Sequence, residues 1–310
     1  MRKIILLLCA SLCAMVLLFS ASPVMAQNVM WVSPVGSDTN GCSEASPCAS
    51  FQGAINKGSV SQINCLASGH YGEVLITTSL TIDCGSGNVG NIVNSSVSAI
   101  TINTTAAATI ILRHLALNGL STTNNSEGIN AGSFFSGTLI VEDCMMHGYH
   151  NGFGIVFQPQ SGRGLLQVSN SQIFDNHVGI TVFPASGQIA SVTLNKVELI
   201  ANLDTGLVMG GVGVVAGAMR DSVVGENGND GVLASASQVF FTVEESSIVD
   251  NLVNGIQTQS AGSAIKVAAS TIGGNGMGVF AQQGSIVSFG DNHVSDNGSD
   301  GNFTSTKALK

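Results

Sequence analysis

The sequence predicts an all-β chain wound as a right-handed parallel β-helix, a solenoid of about eight coils with one short helix capping its N-terminal end. Three observations predict it: a glycine–apolar pair that returns at a near-constant spacing, an asparagine that travels with it, and columns of apolar residues that align between repeats. The pairs are Gly128-Ile129, Gly154-Ile155, Gly179-Ile180, Gly206-Leu207, Gly231-Val232, Gly255-Ile256 and Gly278-Val279. Successive glycines lie 26, 25, 27, 25, 24 and 23 residues apart, and Gly301 follows 23 later. A steady period of this length marks a repeat architecture.

The asparagines Asn176, Asn202, Asn227, Asn251, Asn275 and Asn297 stand three or four residues before the later glycines. Ahead of them a short strand aligns from coil to coil. Its first column is Leu112, Val141, Val168, Leu194, Met219, Val243, Val267 and Phe289. Three residues on come Leu115, Cys144, Ser171, Val197, Ser222, Ser246, Ser270 and Asn292, and two further on Leu117, Met146, Ile173, Leu199, Val224, Ile248, Ile272 and Val294. The outer columns are apolar and the middle one mainly small, as an interior stack requires. One coil cannot bury its apolar side chains alone, so stability comes from stacking on neighbours. Parallel strands about 4.8 Å apart give eight coils a length of roughly 40 Å. Stacked asparagines can exchange amide hydrogen bonds. The recurrent glycine is expected at a turn of positive φ, and the usual sense of parallel crossovers favours the right-handed form. The dense leucines of a horseshoe repeat are missing, and helical apolar spacing is almost absent.

The ends of the chain read differently. Arg2 and Lys3 precede an apolar run from Ile4 to Phe19, and Val24-Met25-Ala26 supplies small residues for cleavage. Residues 1–26 are therefore expected to be a signal peptide, 27–62 an N-terminal cap segment and 63–310 the β-helix domain. The mature chain is expected to be secreted or periplasmic, with no membrane span, and monomeric. Ser46-Pro47 followed by Ala49 to Lys57 predicts the capping helix, with proline in its first turn. The polar tail from Thr304 to Lys310 is expected to close the other end.

Composition excludes some partners. Once the signal is removed, eight basic residues face nineteen acidic ones, a net charge of −11. Nucleic-acid affinity depends on cationic contacts, so no nucleic-acid partner is expected. Charged residues make up 9% of the chain, against about 25% in an ordinary globular domain. Five cysteines remain. In an oxidising compartment Cys42–Cys48 is expected to close a short loop and Cys65–Cys84 to link adjacent coils. Cys144 falls in the inward small column and reads as a buried apolar side chain.

The N-terminal residues carry a resemblance. Trp31-Val32-Ser33-Pro34, Gly36-Ser37-Asp38, Asn40-Gly41-Cys42, Ser46-Pro47-Cys48 and Phe51 with Ala54-Ile55 resemble the opening segment of many secreted bacterial β-helix proteins. Ile63, Gly69, Tyr71-Gly72, Val74, Ile76 and Leu80-Thr81-Ile82 continue that pattern. The repeats behind them resemble the pectin-lyase-like superfamily, over essentially the whole mature chain. That superfamily includes polysaccharide lyases, glycoside hydrolases, esterases and adhesins, so the resemblance implies the scaffold and leaves the activity open. Its enzymes use clustered Asp with Arg or Lys on one outer face, sometimes with calcium.

Two outward positions follow the first apolar column: Arg113-His114, Glu142-Asp143, Ser169-Asn170, Asn195-Lys196, Arg220-Asp221 and Glu244-Glu245. Stacking places Arg113 by Glu142, His114 by Asp143, Lys196 by Asp221 and Arg220 by Glu244. As a catalytic face, Asp143 or Asp221 would be the acid–base carboxylate and Arg220, Arg113 or Lys196 would neutralise an acidic sugar. Arg113, His114, Glu142, Lys196, Glu244 and Glu245 would then bind the chain of sugars. The plainer reading is a ladder of charge-matched neighbours that stabilises modestly and reacts with nothing, and the alternation of sign favours it.

Other signals are weaker. The repeat places His150 in the same column as Asp175, with His147 and His177 nearby; a metal could use such residues, but turn positions on a solvent face more often hold them without function. Gly225-Glu226-Asn227-Gly228-Asn229-Asp230 resembles one calcium-binding nonapeptide, but such motifs work in tandem and this one stands alone. No metal set or cofactor is evident, and calcium enters only through the resemblance. The segment 121–137 breaks the spacing and is the candidate binding lip. No Gly-x-Ser-x-Gly, His-Glu-x-x-His or phosphate loop occurs. Aromatic residues amount to 5%, which argues against a long sugar-stacking platform. These readings predict a secreted protein that binds, or forms part of, an extracellular polysaccharide matrix, with a polysaccharide lyase or glycoside hydrolase as the alternative.

Overall fold

The computed structural model describes residues 28–308 except 86, 95–97, 105–106, 121–125 and 133–134. The expected signal peptide lies outside the described residues. The chain is an all-β parallel solenoid of about nine turns. The repeat spacing counted fewer because the coils before Gly128 lack the glycine–apolar pair.

One coil shows the plan. The strand Arg163–Phe174 bends at Asn170, so residues 163–169 form a first face and 171–174 a second. A turn at 175–177 leads to Val178–Val182 on the third face, and a loop at 183–188 brings the chain back. The next strand, Ile189–Ile200, pairs in parallel with the first from Arg163↔Ile189 to Phe174↔Ile200. Strands of the third face stack in one ten-stranded parallel sheet. The expected columns point inward: Leu112, Val141, Val168, Leu194, Met219, Val243 and Val267 are fully buried, as are Leu117, Met146, Ile173, Leu199, Val224, Ile248 and Ile272. The last coil departs from the expectation. Val267 pairs with Ser288, not Phe289, because an extra residue before Asn292 is taken up at Gly290, φ +89°.

Each coil has two corners; from His114 on at the first, and from Gly148 on at the second, each turns through one residue in the left-handed region. At the first corner these are His114, Asp143, Asn170, Lys196, Asp221, Glu245 and Ala269. At the second they include Asp175, Ala201, Glu226, Asp250, Gly274 and Asp296. The residue after each second-corner turn is the recurrent asparagine. Asn176, Asn202, Asn227, Asn251 and Asn275 are buried, and each Nδ2 donates to the next Oδ1 at 2.8–3.1 Å. Each also donates to a carbonyl of the preceding coil, such as Leu199 O for Asn227, while its Oδ1 accepts a backbone N–H as well. Every hydrogen-bonding group of the ladder amides is thus satisfied inside the core, which removes the cost of burying them. The ladder begins at Tyr149, whose N–H donates to Asn176 Oδ1 and whose hydroxyl crosses two coils to Asn94 at 2.9 Å.

The glycine column has a different cause from the one expected. Of its members only Gly301 lies at positive φ. A Cβ on Gly231 would stand 2.7 Å from the carbonyl oxygen of Gly255 and 2.8 Å from Asn251 Nδ2. Glycine is required because the third face closes against the asparagine ladder, not because the backbone is left-handed.

The ends are closed as expected in outline. The helix is shorter than predicted, Phe51–Ile55, with Ser50 as its N-cap and Pro47 outside it. Phe51 is fully buried against Tyr71. Both disulfides form, Cys42–Cys48 and Cys65–Cys84. In the tail, Ser305–Thr306 pairs with Val287 and Ser288 as a last rung of the first face.

Candidate functional site

The parallel register carries the outermost first-face position along the molecule as one column: Trp31, Asn64, Asp83, Arg113, Glu142, Ser169, Asn195, Arg220 and Glu244. The left-handed residues of the first corner form a second column beside it. A left-handed residue turns its side chain out at the bend, which presents these groups to solvent whatever their type.

Charges in the lower half are matched as the sequence predicted. Arg113 Nε donates to Glu142 Oε2 at 2.7 Å, with Asp83 Oδ2 3.9 Å from its Nη1. His114 lies between two carboxylates, Asp83 at 2.9 Å and Asp143 at 3.8 Å. Arg220 pairs with Glu244 at 2.6 Å, and that partner holds its guanidinium above the ordinary range. Lys196 and Asp221, expected to pair, form no ion pair within 4.0 Å among the described residues. Lys196 instead faces a groove of about 450 Å³ with Asp143, Asn170, Gln172 and Glu198. Gln172 donates to Glu198 at 2.9 Å, and the exposed edge of Met145 floors the middle. The predicted residues therefore divide. Asp143 and Lys196 share the groove, His114 stands at its lower end, and Asp221, Arg220, Glu244 and Glu245 lie on later coils outside it.

A second hollow of about 430 Å³ adjoins its lower end, lined by Trp31, Asn64, Leu66, Asp83, Gly85 and His114. Trp31, which opens the N-terminal segment that carries the resemblance, stands here on the outer face of the first rung. Its partners were legible only through coil alignment: a Cys65–Cys84 link puts the preceding residues, Asn64 and Asp83, side by side.

The middle column of small residues does more than fit. Ser222 Oγ accepts the N–H of Val197 in the preceding coil and donates to Arg220 O in its own. Ser171, Ser246 and Ser270 repeat the arrangement, and Asn292 accepts the N–H of Ser270. These bonds fix the bend that carries the groove. Cys144 takes one position of this column, where burial pushes its thiol up to about 12, consistent with an inert side chain.

At the second corner His150 pairs with Asp175 at 3.0 Å, and His147 stacks on Phe174. Among the described residues no three His, Cys, Asp or Glu side chains converge as a metal-ion ligand set. Residues 225–230 form the second-corner turn of their coil, with Glu226 at φ +57°. Within the segment 121–137, residues Glu127–Ala131 are a third-face strand and Phe135 is buried against Phe157. The remainder includes 121–125 and 133–134, outside the described residues.

No protein-family model matches the sequence, and neither does any curated protein. Solved structures do. The pectate lyase Pel9A superposes with a TM-score of 0.64 at 15% identity, over 88% of this chain and 78% of its own. The A-module of the mannuronan C-5 epimerase AlgE6 from Azotobacter vinelandii superposes with a TM-score of 0.61 at 19% identity, over 80% of this chain and 71% of its own. The chain shares the parallel β-helix fold of these two proteins. At these identities the likeness is one of scaffold, and a shared scaffold does not carry a function with it.

Proposed function

We propose that this protein is exported and binds a polysaccharide along the first corner, as a recognition or matrix component rather than a catalyst. The observation that carries the reading is the groove of Asp143, Asn170, Gln172, Lys196 and Glu198, whose hydroxyl-bonding side chains recur once per coil. A coil rise of about 4.8 Å is comparable with the length of one sugar residue in an extended chain. The fold neighbours, a pectate lyase and a mannuronan epimerase, are named for polysaccharide substrates, which supports the ligand class. Two disulfides suit an oxidising compartment. No helix among the described residues is long and apolar enough to cross a membrane.

The charge pairs argue against catalysis. Arg113 and Arg220 each give one N–H to a glutamate, which offsets part of the charge that either guanidinium could bring to a developing anion. Co-sedimentation against a panel of neutral and acidic polysaccharides, with and without calcium, tests the reading. Binding should occur without unsaturated sugars or new reducing ends, and Lys196→Ala together with Asp143→Ala should weaken it about tenfold, some 1.4 kcal/mol. Product formation that Asp143→Ala or Asp221→Ala abolishes would replace this reading with a lyase or hydrolase.

A further inference from the structure

The hollow at the lower end of the groove holds the chain's single tryptophan. Trp31 lies on the outward side of the strand Val29–Val32, while its neighbour Val32 is fully buried. A half-buried indole on the outside of a β-helix has no packing role that a β-branched residue would not fill. Among the described residues its N–H has no acceptor. Register places Asn64 one rung above it and Asp83 two rungs above, about 10 Å away along the axis. The indole thus shares a hollow of about 430 Å³, roomy enough for a sugar ring, with an amide and a carboxylate.

The carboxylate is only half used. Asp83 Oδ1 accepts from His114 Nδ1 at 2.9 Å and from the N–H of Gly85 at 2.8 Å. Oδ2 has only Arg113 Nη1 at 3.9 Å, beyond hydrogen-bond reach, and stays open to a hydroxyl. The cations nearby are committed: Arg113 to Glu142 and His114 to Asp83, with Asp143 on its other nitrogen. A uronate carboxylate entering here would meet the Asp83 carboxylate, beside cations that already carry carboxylate partners.

We infer that the hollow is a subsite for a neutral pyranose, stacked by its apolar face on Trp31 and hydrogen-bonded through its hydroxyls to Asn64 and Asp83. This rests on the reading of the first corner as a polysaccharide groove and names its ligand class. Stacking supplies affinity through C–H contacts with the indole and desolvation of one sugar face. Asp83, oriented by His114, supplies the directional contact that a carboxylate makes best with a hydroxyl donor.

Because the chain has one tryptophan, its fluorescence reports on this site alone. The experiment titrates the protein with short neutral oligosaccharides (β-linked glucose and galactose hexamers) and with galacturonate and mannuronate hexamers, following indole emission and heat of binding together. A neutral hexamer should shift the emission to shorter wavelength. Trp31→Ala should weaken binding of that sugar about tenfold, while Trp31→Phe, which keeps a stacking face, should stay within about threefold. Asp83→Asn, which leaves one acceptor oxygen, should fall between them. Emission that responds only to the uronate hexamers would overturn the neutral class. Neutral sugar that binds with heat but without any emission change, or equally to Trp31→Ala, would overturn the subsite and leave the groove standing. A response that survives Lys196→Ala would separate the subsite from the groove above it. Silence from every sugar in both channels would overturn both readings.

Discussion

From His114 to Ala269 the first corner of each coil turns through a residue with φ between +46° and +55°, and from Gly148 on the second turns through one between +52° and +62° where it is not glycine. The backbone device is the same, and the residue that follows it turns inward at both. At the second corner that residue is asparagine, whose two-ended amide bonds to the coils on both sides and saturates itself. At the first it is mostly serine, whose one hydroxyl accepts from one coil and donates within its own. The left-handed residues differ as well. At the first corner Asp143, Asn170 and Lys196 open onto the groove of about 450 Å³, and at the second Glu226, Asp250 and Gly274 border a hollow of about 540 Å³ that the ladder asparagines also line. A solenoid can therefore tie its coils together more heavily along one edge than along the other, and the less heavily bonded edge is the freer to vary in sequence.

The largest test of this contrast is Asn227→Ala. It strips partners from Asn202 Nδ2, the N–H of Asn202, the carbonyl of Leu199 and the Oδ1 of Asn251. Each buried group left unpaired costs about 1–3 kcal/mol, and partial relaxation should bring the total to about 3–5 kcal/mol in urea unfolding. At the first corner Ser246→Ala leaves only the N–H of Ser222 and the carbonyl of Glu244 unpaired. About 1–2 kcal/mol is expected there. Equal losses in the two variants would break the contrast and mean that both corners carry the fold alike.

How much of this was legible in sequence follows from which forces repeat. The asparagine ladder was readable because identical side chains at one spacing can only stack. The inward columns were readable for the same reason. The glycine column was readable as a constraint but not as a cause: spacing shows that a Cβ is refused and not whether φ or a neighbouring amide refuses it. The serines read as small because a hydroxyl that bonds locally has the same pattern as one that merely fits. The slip at Ser288 was hidden by Phe289, an apolar residue beside the true partner. The charge pairs of Arg113 and Arg220 followed from stacking, but the pairing of Lys196 with Asp221 did not, since a long flexible side chain on a bend has room to choose the groove. Trp31 escaped because it precedes the regular repeat, where insertions between rungs obscure the register.

The smallest effect sharpens the comparison most. Ala201 at the second corner and Ala269 at the first are both exposed alanines in the left-handed region, at φ +52° and +46°. A Cβ there meets the following carbonyl, a cost of roughly 1–2 kcal/mol that glycine avoids. Glycine also loses more backbone freedom on folding, which takes back part of the gain. Ala201→Gly and Ala269→Gly should therefore each stabilise the protein by about 0.5–1 kcal/mol, and by the same amount. Neither side chain touches the ladder, the serines or the groove, so the pair isolates the backbone from everything attached to it. A matched gain would show that the corners are one conformation and that their division of labour lies wholly in side chains. A gain at Ala269 alone would mean that the ladder already forces the second-corner residue into place, and that the asparagines shape the bend as well as bridge it.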